Sequence, residues 1–175
     1  FTVKELAVSS QWDTDTEEGS GNETPSERMA IAGYDAAVAV VNENNSGERL
    51  GNLVGMQDIQ FKPPQGGEFI HVFGYPKGGL NKDGNYSGSR MVHCAGPASS
   101  APKADKLWGV KCDMSSGSSG GPNFVNFDNK SGRGVVVGVT TTSDDLVGGD
   151  KPTLYATRLG DSAQRLYDWA EGASL

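Results

Sequence analysis

The sequence predicts an all-β body closed by a C-terminal helix. Three observations carry that expectation. The chain of 175 residues holds 25 glycines, its hydrophobic residues make up only 35% of the total, and they fall in short runs separated by clusters of Gly, Asn, Asp, Ser and Pro. Such punctuation suits short strands and turns rather than long helices. The length allows one sizeable domain, or most of a two-barrel fold, with a real core to bury.

Taken in order, Phe1 to Trp12 alternates loosely and reads as a strand with its exit. Asp13 to Arg28, rich in Asp, Glu, Ser, Thr and Gly, reads as a surface loop. Tyr34 to Val41 (YDAAVAVV) is expected to be a buried strand whose second residue is a carboxylate. An acid leading an apolar strand is costly without a partner, unless it is a turn Asp capping the strand start. Leu50 to Gln60 carries the chain to Pro63-Pro64-Gln65-Gly66-Gly67, which places a boundary near residue 60 and divides the chain into 1–60, 61–158 and a C-terminal helix over 159–175. Glu68 to Pro76 (EFIHVFGYP) is a strong strand, Lys77 to Gly88 a hairpin loop and Ser89 to Ala95 the returning strand. Pro97 to Lys106 reads as a polar loop and Leu107 to Cys112 as a short strand. Asn123 to Phe127, Gly134 to Thr142 and Leu154 to Thr157 are the remaining strands. Asp161 or Ser162 can cap the last helix, with Ala163, Leu166, Tyr167 and Ala170 on one face.

Composition narrows the partners. Fifteen basic against 22 acidic residues give a net charge of -7 with no basic cluster, which argues against nucleic acid and anionic membranes. No apolar run approaches the eighteen or so residues of a membrane span, and no signal-like segment opens the chain. Phe1 is not a translational start, so a processed product or a fragment is expected. Cys94 and Cys112 with only two histidines make a poor zinc set and a better disulfide between neighbouring strands, contributing about 3 kcal/mol by chain entropy and pointing to an extracellular compartment. Sequons at Asn22, Asn44, Asn85 and Asn129 are compatible with secretion. No cofactor or metal is implied.

The chemistry concentrates in Lys111 to Pro122 (KCDMSSGSSGGP). A serine among glycines, closed by a proline, can hold a hydroxyl on a tight turn and aim backbone N–H groups at one point. Ser119 reads as a nucleophile for acyl transfer, with the N–H groups of Gly117 and Ser119 as an oxyanion hole; a Gly/Ser-rich loop without catalysis is the other reading of those letters. A serine hydroxyl also needs an imidazole to take its proton and a carboxylate to orient that imidazole.

The run Gly117 to Pro122 resembles the G-x-S-G-G-P motif of trypsin-like serine peptidases, in the form of the bacterial members and their glutamyl-endopeptidase relatives. Tyr34 to Val38 resembles the strand carrying that family's triad aspartate, Phe73-Gly74-Tyr75-Pro76 its second-barrel opening, and Leu154 to Thr157 with the following helix its C-terminal end. The resemblance covers roughly residues 34 to 170. It implies a chymotrypsin-like double β-barrel with the first barrel incomplete in this chain, a serine endopeptidase acting on peptide or protein substrates, and Asp35 as the triad acid. It also implies a histidine in a small-small-His-Cys motif upstream of the first strand. That motif is not in these residues. Met91-Val92-His93-Cys94 has large residues before its histidine and falls after Asp35, and His71 sits mid-strand, so neither is assigned as general base. The expectation is a separate N-terminal polypeptide bearing the histidine, with this chain alone inactive; a secreted, non-catalytic binding module is the alternative. An α/β-hydrolase esterase is disfavoured, because Gly120-Gly121-Pro122 leads into a strand.

Specificity is read from two places. Asp113 lies six residues before Ser119, the offset at which trypsins carry the carboxylate that binds Arg or Lys; a solvated turn Asp beside Cys112 is the other reading. Glutamyl-specific relatives carry a histidine on the strand corresponding to Gly138 to Thr142, where the resemblance puts Thr140 in its place; no histidine lies on that strand, so glutamate specificity of that kind is not expected, although a threonine hydroxyl can donate to a polar side chain, and Thr140, Thr141 and Thr142 are expected to form the strand beside the substrate.

Overall fold

The computed structural model describes residues 1–12, 24–77, 86–101, 104–114, 116–144 and 152–173. Its elements are β1 (Val3–Val8), α1 (Pro25–Ala32), β2 (Ala37–Val41), α2 (Leu50–Val54), β3 (Asp58–Ile59), β4 (Phe69–Gly74), β5 (Val92–Pro97), β6 (Ser99–Ala101), β7 (Ala104–Lys111), β8 (Pro122–Asp128), β9 (Arg133–Ser143), β10 (Thr153–Arg158) and α3 (Asp161–Ala173). None of the described helices is long and apolar enough to cross a membrane.

Eight of the strands form one sheet in the order β5-β4-β8-β9-β10-β7-β6, with β3 pairing β9 in parallel. The sheet curls until β5 meets β7, where Cys94 and Cys112 are joined by a disulfide. Alternation fills the interior. In β4 the inward residues Ile70 and Val72 are fully buried, and they pack with Trp108, Val110, Met114, Val125, Val137, Leu154 and Ala156. Each aliphatic side chain buried in this way contributes roughly 1.5–3 kcal/mol.

The remaining strands, β1 and β2, form a two-stranded antiparallel sheet running from Val8↔Ala37 to Val3↔Val41. This sheet has little core. Val40 is buried, whereas Val3, Leu6 and Val8 are 61%, 65% and 41% exposed. Helix α3 packs on β1 and β2 and fastens this sheet, with Ser9 and Ser162 hydroxyls 3.1 Å apart, while its Tyr167 meets Phe61, just after β3.

Three expectations are corrected. The polar segment does not remain a loop through Arg28, because Thr24 and Glu27 form a capping box: Thr24 Oγ1 accepts from Glu27 N–H at 3.3 Å and Glu27 Oε2 accepts from Thr24 N–H at 2.7 Å. Two orphan donors are thus satisfied and the helix starts at Pro25. Residues 97–106 are not a loop either, since β6 and the start of β7 form an antiparallel pair there, Ser99↔Gly109 and Ser100↔Trp108. The strand expected from Tyr34 begins at Ala37. Tyr34 and Asp35 instead form the turn leaving α1, donating to Ile31 O and Ala32 O. The sequons at Asn22 and Asn85, and most of the hairpin loop between Lys77 and Gly88, lie outside the described residues.

On the outer face of β4 and β5, His71 Nδ1 and His93 Nε2 are 2.9 Å apart, their rings stacked beside Phe73 and Phe127. Burial, and then the neighbouring His93, lower the pKa of His71 below the usual imidazole value of 6.5. The fold therefore favours neutral His71. Its stabilisation is complete above the unfolded pKa and is lost as pH falls through the folded one. The unfolding temperature of the wild type is expected to drop more than that of His71→Phe as pH is lowered from about 7 to about 5. Parallel curves for the two proteins would show that the pair carries no pH dependence.

Candidate active site

The turn between β7 and β8 is built on glycine. Gly117 has φ +91°, and a Cβ there would lie 2.9 Å from Tyr75 O. A Cβ on Gly121 would lie 2.1 Å from Phe73 O, so only glycine lets the turn seat against the end of β4. Lys77 N–H donates to Ser116 O at 2.6 Å and holds the near end. The far end is tied to β9 by a reciprocal pair: Gly120 N–H donates to Thr140 O at 2.8 Å, and Thr140 N–H donates to Gly121 O at 2.9 Å.

This lacing presents Ser119 at the surface, with its hydroxyl donating weakly to Thr141 O at 3.4 Å. Among the described residues no acceptor takes the N–H of Gly117 or Ser119. The next residue of β9 reaches the other way, with Thr141 Oγ1–H donating to Asp35 Oδ2 at 2.6 Å. Asp35 is held from behind as well, since Thr157 Oγ1–H lies 2.7 Å from Ala32 O and 3.2 Å from Asp35 O. Asp35 and Ser119, 84 residues apart by their numbers (119 minus 35), thus meet on opposite sides of Thr141.

Two concavities converge on Ser119. One is a mostly apolar groove of about 550 Å³ lined by Phe73, Tyr75, Met91, Phe124 and Phe127 together with the serine turn. The other is a recess of about 170 Å³ walled by Ser116, Thr140, Thr141, Thr142, Ser143 and Leu154. Thr140, Thr141 and Thr142 all line the recess, and Thr141 spends its hydroxyl on Asp35. Asp113 is not in its wall. The carboxylate accepts a hydrogen bond from Tyr86 OH at 2.8 Å. Burial, and then Asp113, push the Tyr86 phenol up to about 12. The two histidines of the chain engage each other on β4 and β5, and neither lines either concavity. Sequence reasoning missed Tyr86 and the buried Asn123 below the recess, since both act through partners distant in the chain.

No family model matches this chain, and no curated protein matches it. Solved structures do. The protease Anisep from Arthrobacter nicotinovorans is 29% identical, with 97% of this chain and 66% of that one covered and a TM-score of 0.68. The thermostable serine protease AL20 from an extremophilic microorganism is 24% identical, with 96% and 66% covered and a TM-score of 0.69. A Glu endopeptidase shares the fold at 19% identity, 97% and 63% coverage and a TM-score of 0.59. The chain thus spans about two thirds of the length of these serine proteases and has the corresponding part of their fold.

Next to Ser119, the Ser118 hydroxyl is buried and has no partner among the described residues. A buried unpaired hydroxyl costs about 1–3 kcal/mol of desolvation. Ser118→Ala is expected to raise stability by about 1 kcal/mol in urea unfolding, and a loss of that size would mean that the hydroxyl has a structural partner.

Proposed function

We propose that this chain, whose fold is that of the chymotrypsin-like serine peptidases, supplies the nucleophile, the triad acid and the oxyanion hole of a serine endopeptidase. The observation that carries the reading is the placement of Asp35 and Ser119 on either side of Thr141, beside a turn in which the N–H groups of Gly117 and Ser119 have no acceptor among the described residues. In the reaction Ser119 Oγ attacks a peptide carbonyl and its proton passes to an imidazole oriented by Asp35. The oxyanion is held by the N–H groups of Gly117 and Ser119, each donor of this kind contributing about 3 kcal/mol. Collapse expels the amine with the proton, leaving an acyl-Ser119 ester that water hydrolyses by the same steps. Substrate would add along β9. Pairing with β8 ends at Pro122↔Val139, so beyond Thr140 that edge of β9 is open to an extended peptide.

The imidazole is the missing group. His71 and His93 are committed to each other away from Ser119, so the base is assigned to a polypeptide outside these residues, one that would also cover the exposed face of β1 and β2. This chain alone would then be inactive. The Cys94–Cys112 disulfide and the exposed Asn129 sequon support a secreted protein.

The test is peptide hydrolysis by the native protein, with its polypeptides identified by intact mass and N-terminal sequencing. Ser119→Ala is expected to lower kcat by about a millionfold, and the 175-residue chain alone to give no turnover. Turnover that survives Ser119→Ala, or no hydrolysis with a histidine-bearing polypeptide present, would instead indicate a non-catalytic binding module.

A further inference from the structure

Helix α2 is short and apolar, and among the described residues nothing covers it. Three of its five residues are Leu50, Leu53 and Val54, none of the five is buried, and Leu53, Val54 and the nearby Met56 are 50%, 74% and 65% exposed. A helix of this length is not stable alone in water and depends on the packing of an apolar face. Leu50, Gly51 and Met56 form one side of a concavity of about 720 Å³ whose other side is the small sheet, with Lys4, Val40 and Val41. The next residue, Gln57, lies in the wall of the apolar groove that reaches Ser119. It is pinned to the turn between β8 and β9, donating to Gly132 O at 2.9 Å and accepting from Gly134 N–H at 2.9 Å. The concavity at the small sheet and the groove of the large one are thus joined through Met56-Gln57. The rest of the chain offers little to cover this track. Residues 13–23 (DTDTEEGSGNE) contain no apolar side chain, and 78–85 and 145–151 contribute only Leu80, Leu146 and Val147.

We infer that this track, from the concavity beside α2 through Met56-Gln57 to the groove, is one interface, and that its occupant is the histidine-bearing polypeptide, seating apolar side chains against α2 and Met56. This rests on the peptidase reading, which requires that polypeptide. Its imidazole has to arrive between Asp35 and Ser119, and the groove ends at Ser119. The small sheet, whose exposed face the same polypeptide would cover, continues into the concavity through Val40 and Val41. The serine proteases that this chain resembles have about a third of their length beyond the matched part, enough chain to reach both places. A second copy of this chain is a poorer occupant. It would cover apolar surface but bring no free imidazole, since His71 and His93 are bonded to each other.

Photocrosslinking in the native protein provides the test, since it requires no turnover. With Val54→p-benzoylphenylalanine, irradiation and peptide mapping are expected to give an adduct on polypeptide outside residues 1–175 that carries a histidine. The same photoreactive residue in place of Asp105, exposed on β7, is expected to give no such adduct. Met56→Asp is expected to cut the yield from position 54 at least tenfold, the size of one buried Met side chain, and Met56→Leu to leave it unchanged. Adducts confined to this chain or to a second copy of it, no adduct, or a yield indifferent to Met56→Asp would overturn the inference. Failure of the peptidase reading is separate: the adduct would form on the histidine-bearing polypeptide while Ser119 remained unreactive toward a serine-directed phosphonate.

Discussion

The site depends on the hydrogen bonds made by two adjacent residues of β9. Thr140 holds the serine turn through its backbone, and Thr141 holds Asp35 through its side chain. Asp35 follows α1 and precedes the small sheet, whereas Ser119 belongs to the large one. A typical hydrogen bond in such a set stabilises by about 1 kcal/mol, and one to a carboxylate by about 1.5–3 kcal/mol. The tie is modest in energy, but it acts on a strand anchored by β8 and β10 on its two sides.

The large sheet can hold this geometry because its interior is filled and its seam is covalently closed at Cys94–Cys112. The small sheet is different. Its apolar residues Val3, Leu6 and Val41 are outside, and α3 is its main attachment. The half of the fold that carries Ser119 is therefore held by its own core, and the half that carries Asp35 is stabilised by contacts that reach it from elsewhere. That asymmetry fits the proposal that further polypeptide covers the small sheet and supplies the imidazole.

What was legible in the sequence was local. The glycines around Ser119 signal the turn because a Cβ at Gly121 would collide with β4 and one at Gly117 with Tyr75 just beyond it, and the alternation in Phe69 to Gly74 signals a half-buried strand. The helix at α1 was missed although Thr24 and Glu27 spell a capping box, since a polar stretch gave no apolar period to follow. The strand pair β6–β7 was missed because Ser99 and Ser100 look like loop residues until Gly109 and Trp108 lie opposite them. The contacts that define the site are long-range. Thr141 and Asp35 are 106 residues apart, and Tyr86 and Asp113 are 27 apart. Nothing in the letters at position 113 reveals that its carboxylate is already engaged.

The central claim is that Ser119 is a nucleophile made reactive by Asp35 through an imidazole carried on other polypeptide. Labelling by a peptidyl phosphonate, mapped by mass spectrometry, tests it most directly. In the native protein the account predicts stoichiometric modification of Ser119, greatly slowed by Asp35→Asn and absent from the 175-residue chain alone. Equal labelling of that chain with and without additional polypeptide, or labelling indifferent to Asp35, would contradict it.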